Sequence, residues 1–309
     1  MPVVLGLASS HAPSMFVEAS EWPTIHGRLT KGVPQPPQLA LETPEVLEQY
    51  VERIKAGFAH LSSAIDRAEL DVLIIIGDDQ TEVFSNACVP AFGIYTGDGV
   101  SGSISIPSLG QSVKDNWYRF ATSPTVAETL LNGLMDKGFD PAYLETIVPL
   151  GNPDGSLGHA FTRVAKVTGL HESGLPIIPL FVNGYHPPLP SAARCYALGR
   201  AITEIFRSRP ERVGLYASGG MSHCPGGPRA GWVDEPLDRW VMAKLEQGET
   251  EALTGLFSFD SDTLRSGTGE LRAWVSLAGA FAGVPAKIVD YIPARHAVTG
   301  LGFATWGEQ

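Results

Sequence analysis

Val213-Gly214-Leu215-Tyr216-Ala217-Ser218-Gly219-Gly220-Met221-Ser222-His223 decides how this chain is read. A β-branched and aromatic run that breaks at two glycines and then presents a histidine reads as a buried strand whose C-terminal end carries an imidazole into a crevice. In open α/β sheets that edge is where ligands bind. A histidine that merely caps a turn competes with this reading for any single run, and repetition separates the two. Three more strand-like runs end in the same manner. Residues 2–8 lead into Ser9-Ser10-His11-Ala12-Pro13, Leu70-Asp71-Val72-Leu73-Ile74-Ile75-Ile76 into Gly77-Asp78-Asp79-Gln80, and Pro176 to Val182 into Asn183-Gly184-Tyr185-His186-Pro187-Pro188.

Between the first two of these runs, Val46, Leu47, Tyr50, Val51, Ile54, Phe58, Leu61 and Ile65 recur at three- and four-residue spacing behind Thr43 and Pro44, which predicts a helix over 43–69. Strand, helix and strand form a βαβ unit with both strand ends on one edge, so His11 and Asp79/Gln80 are expected to be neighbours. The rest continues the alternation: helices over 126–137, 191–208, 235–247, 250–257 and 269–282, and strands over 91–95, 103–106, 143–149, 288–292 and 302–306. Residues 18–44 read as a long surface loop able to cover a site, and 87–123 as a Gly/Ser/Pro-rich excursion near it. With no repeat, low-complexity tract or linker, the expectation is one α/β domain over 1–309. Its central sheet is mostly parallel or mixed, flanked by helices, with the active site at the strand C-terminal ends.

Composition narrows the partners. The 309 residues carry 22 Lys and Arg against 33 Asp and Glu, a formal charge of −11 spread along the chain, which gives no footprint for nucleic acid or an anionic membrane. No apolar run reaches the ~18 residues of a bilayer span, and no basic leader precedes the first strand. Cys88, Cys195 and Cys224 lie far apart without a Cys-x-x-Cys, which fits a reducing cytoplasm and small-molecule partners.

Collected on the predicted rim are His11, Asp78, Asp79, Gln80, His159, His186 and His223, and the segment Ser266-Gly267-Thr268-Gly269-Glu270-Leu271 adds Glu270. Imidazoles and carboxylates on one rim allow two readings, a general acid/base site or a mononuclear metal with open positions. Taken singly, each residue has a bland explanation. His60 and His171 read as solvated, His296 as packed in a turn, and Glu270 as the first-turn acid of a helix. Gly-x-Ser-x-Gly, Walker and Gly-x-Gly-x-x-Gly motifs are absent. Cys224 beside His223 is a poor nucleophile candidate, because adjacent residues seldom face each other.

At these residues the chain resembles the class III extradiol ring-cleavage dioxygenases, the superfamily of the protocatechuate 4,5-dioxygenase catalytic subunit, over nearly its whole length. The resemblance rests on Ser9-Ser10-His11-Ala12-Pro13, Asn183-Gly184-Tyr185-His186-Pro187-Pro188-Leu189-Pro190, Arg194-Cys195-Tyr196-Ala197-Leu198-Gly199, Ser218-Gly219-Gly220-Met221-Ser222-His223 and Gly269-Glu270-Leu271-Arg272-Ala273-Trp274. It implies non-haem Fe(II) held by His11 and Glu270, with His223 as acid/base catalyst and with a catecholic or related aromatic acid and O2 as substrates. Where the family has its second iron-binding histidine this chain has Asp79-Gln80, so Gln80 becomes the third candidate ligand. The family's Asp-His-Gly segment is replaced by a different layout ending in His159, the candidate second catalytic histidine. His186 and Arg229 are candidates for holding substrate. Alternatives that keep the fold are another divalent metal or none, with hydrolysis, isomerisation or decarboxylation of a related acid, or a non-catalytic binding subunit. Assembly into homo-oligomers, or with a small second subunit, is expected.

Overall fold

The computed structural model describes residues 3–147 and 157–307. Its strands are β1 (Val3–Ser9), β2 (Val72–Gly77), β3 (Phe92–Tyr95), β4 (Val100–Ser103), β5 (Trp117–Phe120), β6 (Ala142–Leu144), β7 (Ile177–Val182), β8 (Val213–Ser218), β9 (Lys287–Ala294) and β10 (Thr299–Trp306). Eight of them form one sheet in the order β6-β3-β7-β2-β8-β1-β10-β9, and β4 pairs with β5 apart from it. β8 lies between β1 and β2 and runs parallel to both, and β7 runs parallel to β2. β10 is antiparallel to β1 and β9, and β3 is antiparallel to β7. The sheet is therefore mixed around a parallel centre, and the centre delivers four strand C-termini to one edge.

The helices are α1 (Trp22–Thr30), α2 (Pro44–Ala68), α3 (Pro124–Asp136), α4 (His159–Val167), α5 (Leu170–Ser173), α6 (Ala192–Phe206), α7 (Glu235–Glu246) and α8 (Leu271–Ala280). Every residue of β2, β7 and β8 is buried, the signature of strands covered on both faces. Pleating divides them: Val72, Ile74 and Ile76 pack with α3, α6, α7 and α8, and Leu73 and Ile75 pack with α2 and α4. On the first face α6 and α8 meet backbone to backbone. A Cβ on Gly199 would lie 1.8 Å from the Ser276 carbonyl oxygen, and one on Gly279 would lie 2.0 Å from that of Tyr196.

Several elements differ from the sequence expectation. Residues 18–44 are not an open loop: they hold α1, whose Trp22 and Ile25 are fully buried, between short 3-10 turns. A nine-residue helix with an interior glycine gives too few turns for its period to show. The strand expected over 103–106 ends at Ser103, and the helix expected over 250–257 is a 3-10 segment, Thr250–Gly255. The helix expected from 269 begins at Leu271, because Ser266–Glu270 form a 3-10 turn first. Of the strand expected over 143–149, residues 143 and 144 lie in β6, while 148 and 149 fall outside the described residues, as do positions 151–156 of the segment leading to His159.

Candidate active site and metal-binding cluster

Three lone pairs converge at the end of the parallel strands. His11 follows β1 by two residues, and its Nδ1 lies 3.0 Å from the Oγ of Ser218, the last residue of β8. Ser218 spends its own hydrogen on the Ala160 carbonyl at 2.5 Å, so its Oγ accepts from His11. That fixes the tautomer: Nδ1 carries the proton, and Nε2 presents an unprotonated lone pair. Burial, only partly countered by Glu270, lowers the His11 pKa to about 3, so the ring is neutral at pH 7. Its Nε2 lies 3.7 Å from Asp78 Oδ1 and 3.6 Å from Glu270 Oε2, and one ligand atom from each of the three residues falls within 4.8 Å of the others.

Asp78 directly follows β2. Neither of its oxygens has a hydrogen-bond partner, although both are buried. Burial and the negative charges of Glu270 and Glu82 push its pKa well above the usual carboxylate range. A buried carboxylate with no donor, aimed at an unprotonated imidazole nitrogen and a second carboxylate, is a costly arrangement that a cation would satisfy. Asp79 does something else: its oxygens accept from the backbone N–H groups of Thr81, Val83 and Phe84 and so hold the turn after β2.

Glu270 is the most heavily held group in the site. Tyr185 OH donates to its Oε1 at 2.5 Å, the Gln80 amide nitrogen donates to the same oxygen at 3.2 Å, and the Gly220 N–H donates to Oε2 at 2.5 Å. His223 Nε2 stands 3.2 Å from Oε1. Burial alone would raise the Glu270 pKa, but His223 and the hydrogen bonds outweigh it and hold the group ionised. His223 is buried too, which disfavours its charge, yet Glu270 and the Met221 carbonyl, 2.8 Å from Nδ1, raise its pKa. Glycines make this packing possible. A Cβ on Gly267 would sit 2.2 Å from His223 Nε2, and one on Gly220 would sit 2.7 Å from Cε1 of the same ring.

His159 opens α4 and meets the His11 ring edge-on at 5.0 Å between centroids. Glu82 Oε1 accepts from its backbone N–H at 3.0 Å and lies 2.7 Å from its Nδ1, so the carboxylate aims the ring. Although burial opposes it, the charge of His159 lowers the Glu82 pKa to about 2. His11, Gln80, Glu82, His159, His223 and Glu270 all line one cavity of about 1080 Å³, whose walls also include Arg163, Lys114 and Trp117.

His11, His159, His223, Glu270 and Gln80 are thus brought together. His186 and Arg229 are not on this cavity's wall: His186 is held by Asn183 through its backbone N–H and carbonyl, and Arg229 pairs with Asp262 at 3.3 Å in an adjoining cleft of about 230 Å³ that His223 also lines. Gln80 donates its amide N–H to Glu270, and the three ligand atoms that converge are those of His11, Asp78 and Glu270. His171 is edge-on to Tyr118 and pairs with Glu172, and His296 pairs with the buried Glu42. Sequence reasoning left Glu82, Arg163, Ser218 and Tyr185 without roles. Tyr185 and Ser218 stood inside quoted motifs, whereas Glu82 and Arg163 carried no local signal.

A buried imidazole with two carboxylates, flanked by two more histidines at the C-terminal edge of a parallel sheet centre, is a donor set able to hold a metal ion beside groups able to exchange protons. Residues 33–302 match the family described as the catalytic LigB subunit of aromatic ring-opening dioxygenase, and the chain belongs to that family, within the class III extradiol superfamily. It is 26% identical over 200 residues to a 2,3-dihydroxyphenylpropionate/2,3-dihydroxicinnamic acid 1,2-dioxygenase of Photorhabdus laumondii, covering 65% of this chain and 57% of that protein. To gallate dioxygenase of Pseudomonas putida it is 32% identical over 155 residues, 48% of this chain and 45% of that one. The chain therefore spans about half the length of these curated relatives. A solved structure of an uncharacterized protein from Escherichia coli K12 shares the fold, with a TM-score of 0.55 at 15% identity over 97% of this chain and 99% of that one. Among the described residues no helix is long and apolar enough to cross a membrane.

Proposed function

We propose that the chain opens the ring of a catecholic aromatic with O2, breaking the carbon–carbon bond beside the two hydroxyls so that both oxygen atoms end in the ring-opened product. The observation that carries this reading is the pair of unpartnered Asp78 oxygens facing the His11 lone pair and ionised Glu270. One imidazole and two carboxylates suit Fe(II), the metal implied by the family resemblance. His11, Asp78 and Glu270 would hold it, in place of a set using Gln80, and ferrous iron when bound would relay electrons from the substrate to O2, which lets O2 react with a closed-shell ring.

The remaining steps belong to side chains. His223 has its Nδ1 turned to the Met221 carbonyl and its Nε2 toward Glu270 and the cavity, so that in its neutral form Nε2 takes a proton from a substrate hydroxyl, with Glu270 stabilising the imidazolium, and returns it as the ring opens. His159, aimed by Glu82, is the second proton carrier on the other side of His11. Tyr185 and Gln80 keep Glu270 in place throughout. The test is oxygen uptake, together with a ring-fission absorbance, on a panel of catechols after anaerobic loading with ferrous iron. Bound iron with neither signal across the panel overturns the proposal.

A further inference from the structure

We propose that Thr268 is the positioning residue of His223, locking the main chain of the proton carrier to the same turn that carries Glu270. His223 needs such a lock because its own loop does not supply one. Gly219 and Gly220 precede it, Gly226 and Gly227 follow it, and glycine gives a chain little conformational preference of its own. On one side the loop is tied to β10: Met221 N–H donates to the Gly300 carbonyl at 3.1 Å, and Gly300 N–H donates to that of Ser222 at 3.2 Å. The contact of His223 Nδ1 with the Met221 carbonyl stays within the loop, so it turns the ring without fixing it against the opposite wall.

Toward Glu270 the main chain is tied by Thr268. The Thr268 N–H donates to the His223 carbonyl at 3.0 Å, while the Thr268 hydroxyl accepts from the His223 N–H at 3.0 Å and donates to the same carbonyl at 3.2 Å. One buried residue thus engages both main-chain polar groups of His223. Thr268 stands in the 3-10 turn Ser266–Glu270, so a single short turn sets both His223 and the carboxylate 3.2 Å from its Nε2. A β-branched side chain suits this task, because its χ1 is stiff and the hydroxyl arrives aimed. Without the hydroxyl the His223 N–H loses its acceptor, and the glycines on either side let the loop shift to find another. General acid/base transfer needs heavy atoms about 2.6–3.2 Å apart, so a small drift of this loop would cost rate before it cost binding.

This inference rests on the reading that His223 moves the proton in ring opening, and its test includes a readout that needs no turnover. Thr268→Val keeps the shape and the backbone bond but removes the hydroxyl, whereas Thr268→Ser keeps the hydroxyl and removes the methyl. In steady-state assays of the iron-loaded full chain, Thr268→Val should lower kcat by about 10²-fold, with KM within about three-fold of wild type and the metal content unchanged. Thr268→Ser should keep kcat within about three-fold of wild type. In NMR spectra of the full chain carrying 13C-labelled histidine, without added metal, His223 is identified by the signal missing from His223→Gln. It should give one ring signal in wild type and Thr268→Ser, and a split or broadened one in Thr268→Val. Wild-type kcat in Thr268→Val, or a Thr268→Ser variant as slow as Thr268→Val, overturns the assignment. If Thr268→Val does not fold, Thr268→Cys, whose sulfur is only a weak acceptor, takes its place with the same expected loss. If wild type with iron bound opens no ring across the panel, the reading of the reaction falls, and the histidine spectra alone decide the lock, with identical signals in all three proteins overturning it.

Discussion

At the scale of single residues, the proposed cation site turns on Asp78 and Gln80. Gln80 donates to Glu270 and fixes that carboxylate, whereas neither oxygen of the buried Asp78 has a hydrogen-bond partner. Removing its charge while keeping its shape tests this directly: Asp78→Asn should weaken divalent-metal binding by at least about 100-fold in calorimetry. Gln80→Ala should weaken it by less, about 10- to 100-fold, the loss expected when a residue acts only on the orientation of a ligand. His223 is predicted to matter to rate and not to metal. His223→Gln should lower kcat by about 10²–10⁴-fold in a steady-state assay while the metal content of the purified protein stays unchanged.

Among the elements, the join between the loop after β8 and α7 has a pH dependence of its own. Asp238 on α7 is fully buried and accepts from the Ser222 N–H at 2.8 Å, the Ser222 hydroxyl at 3.0 Å and Tyr291 OH at 2.7 Å, so it anchors the residue before His223. Burial raises its pKa from 3.8 to about 6 against the pull of these bonds. An acid whose pKa is higher folded than unfolded favours the folded state in its protonated form. That contribution is whole below pH 3.8 and is lost as pH rises to about 6. Denaturant melts across this window should show wild type losing on the order of 3 kcal/mol relative to Asp238→Asn, in which the slope is gone. A parallel pH profile in the two proteins would contradict it.

The legibility of the chain also divides by element. Long, fully covered strands such as β2 and the 25-residue α2 were plain in the sequence because many residues repeat one message. Short elements were not. α4 went unforeseen, and with it Arg163, because a nine-residue helix starting beside an unusual Gly/Pro segment shows too little period. The residues that gather on the cavity were legible at two strand ends, His11 and His223, and in the turn before α8 at Glu270. The site was illegible where partners meet only in space: Glu82 with His159, Tyr185 with Glu270, and Ser218 with His11. Choosing Asp78 over its neighbours Asp79 and Gln80 needed the hydrogen bonds that engage those two.

For the whole molecule, the proposed cation site depends on the whole fold, since His11, Asp78 and Glu270 reach it from three separate strands and turns. A divalent ion that binds only the folded chain should therefore raise its melting temperature. At 100-fold excess over Kd the stabilisation is about 2.7 kcal/mol, readable by scanning calorimetry. Asp78→Asn should show no such rise at the same ion concentration, and an equal rise in both proteins would place the ion elsewhere.

The position of β1 in the sheet also governs the order in which the site is completed. β1 pairs with β8, which starts at Val213, and with β10, which starts at Thr299, so both of its neighbours lie far away along the chain. Pairings at that separation cost a large loop-closure entropy before they reward it. His11 therefore meets Asp78 and Glu270 only once those pairings are made, and a cation bridging the three would slow unfolding more than it speeds folding.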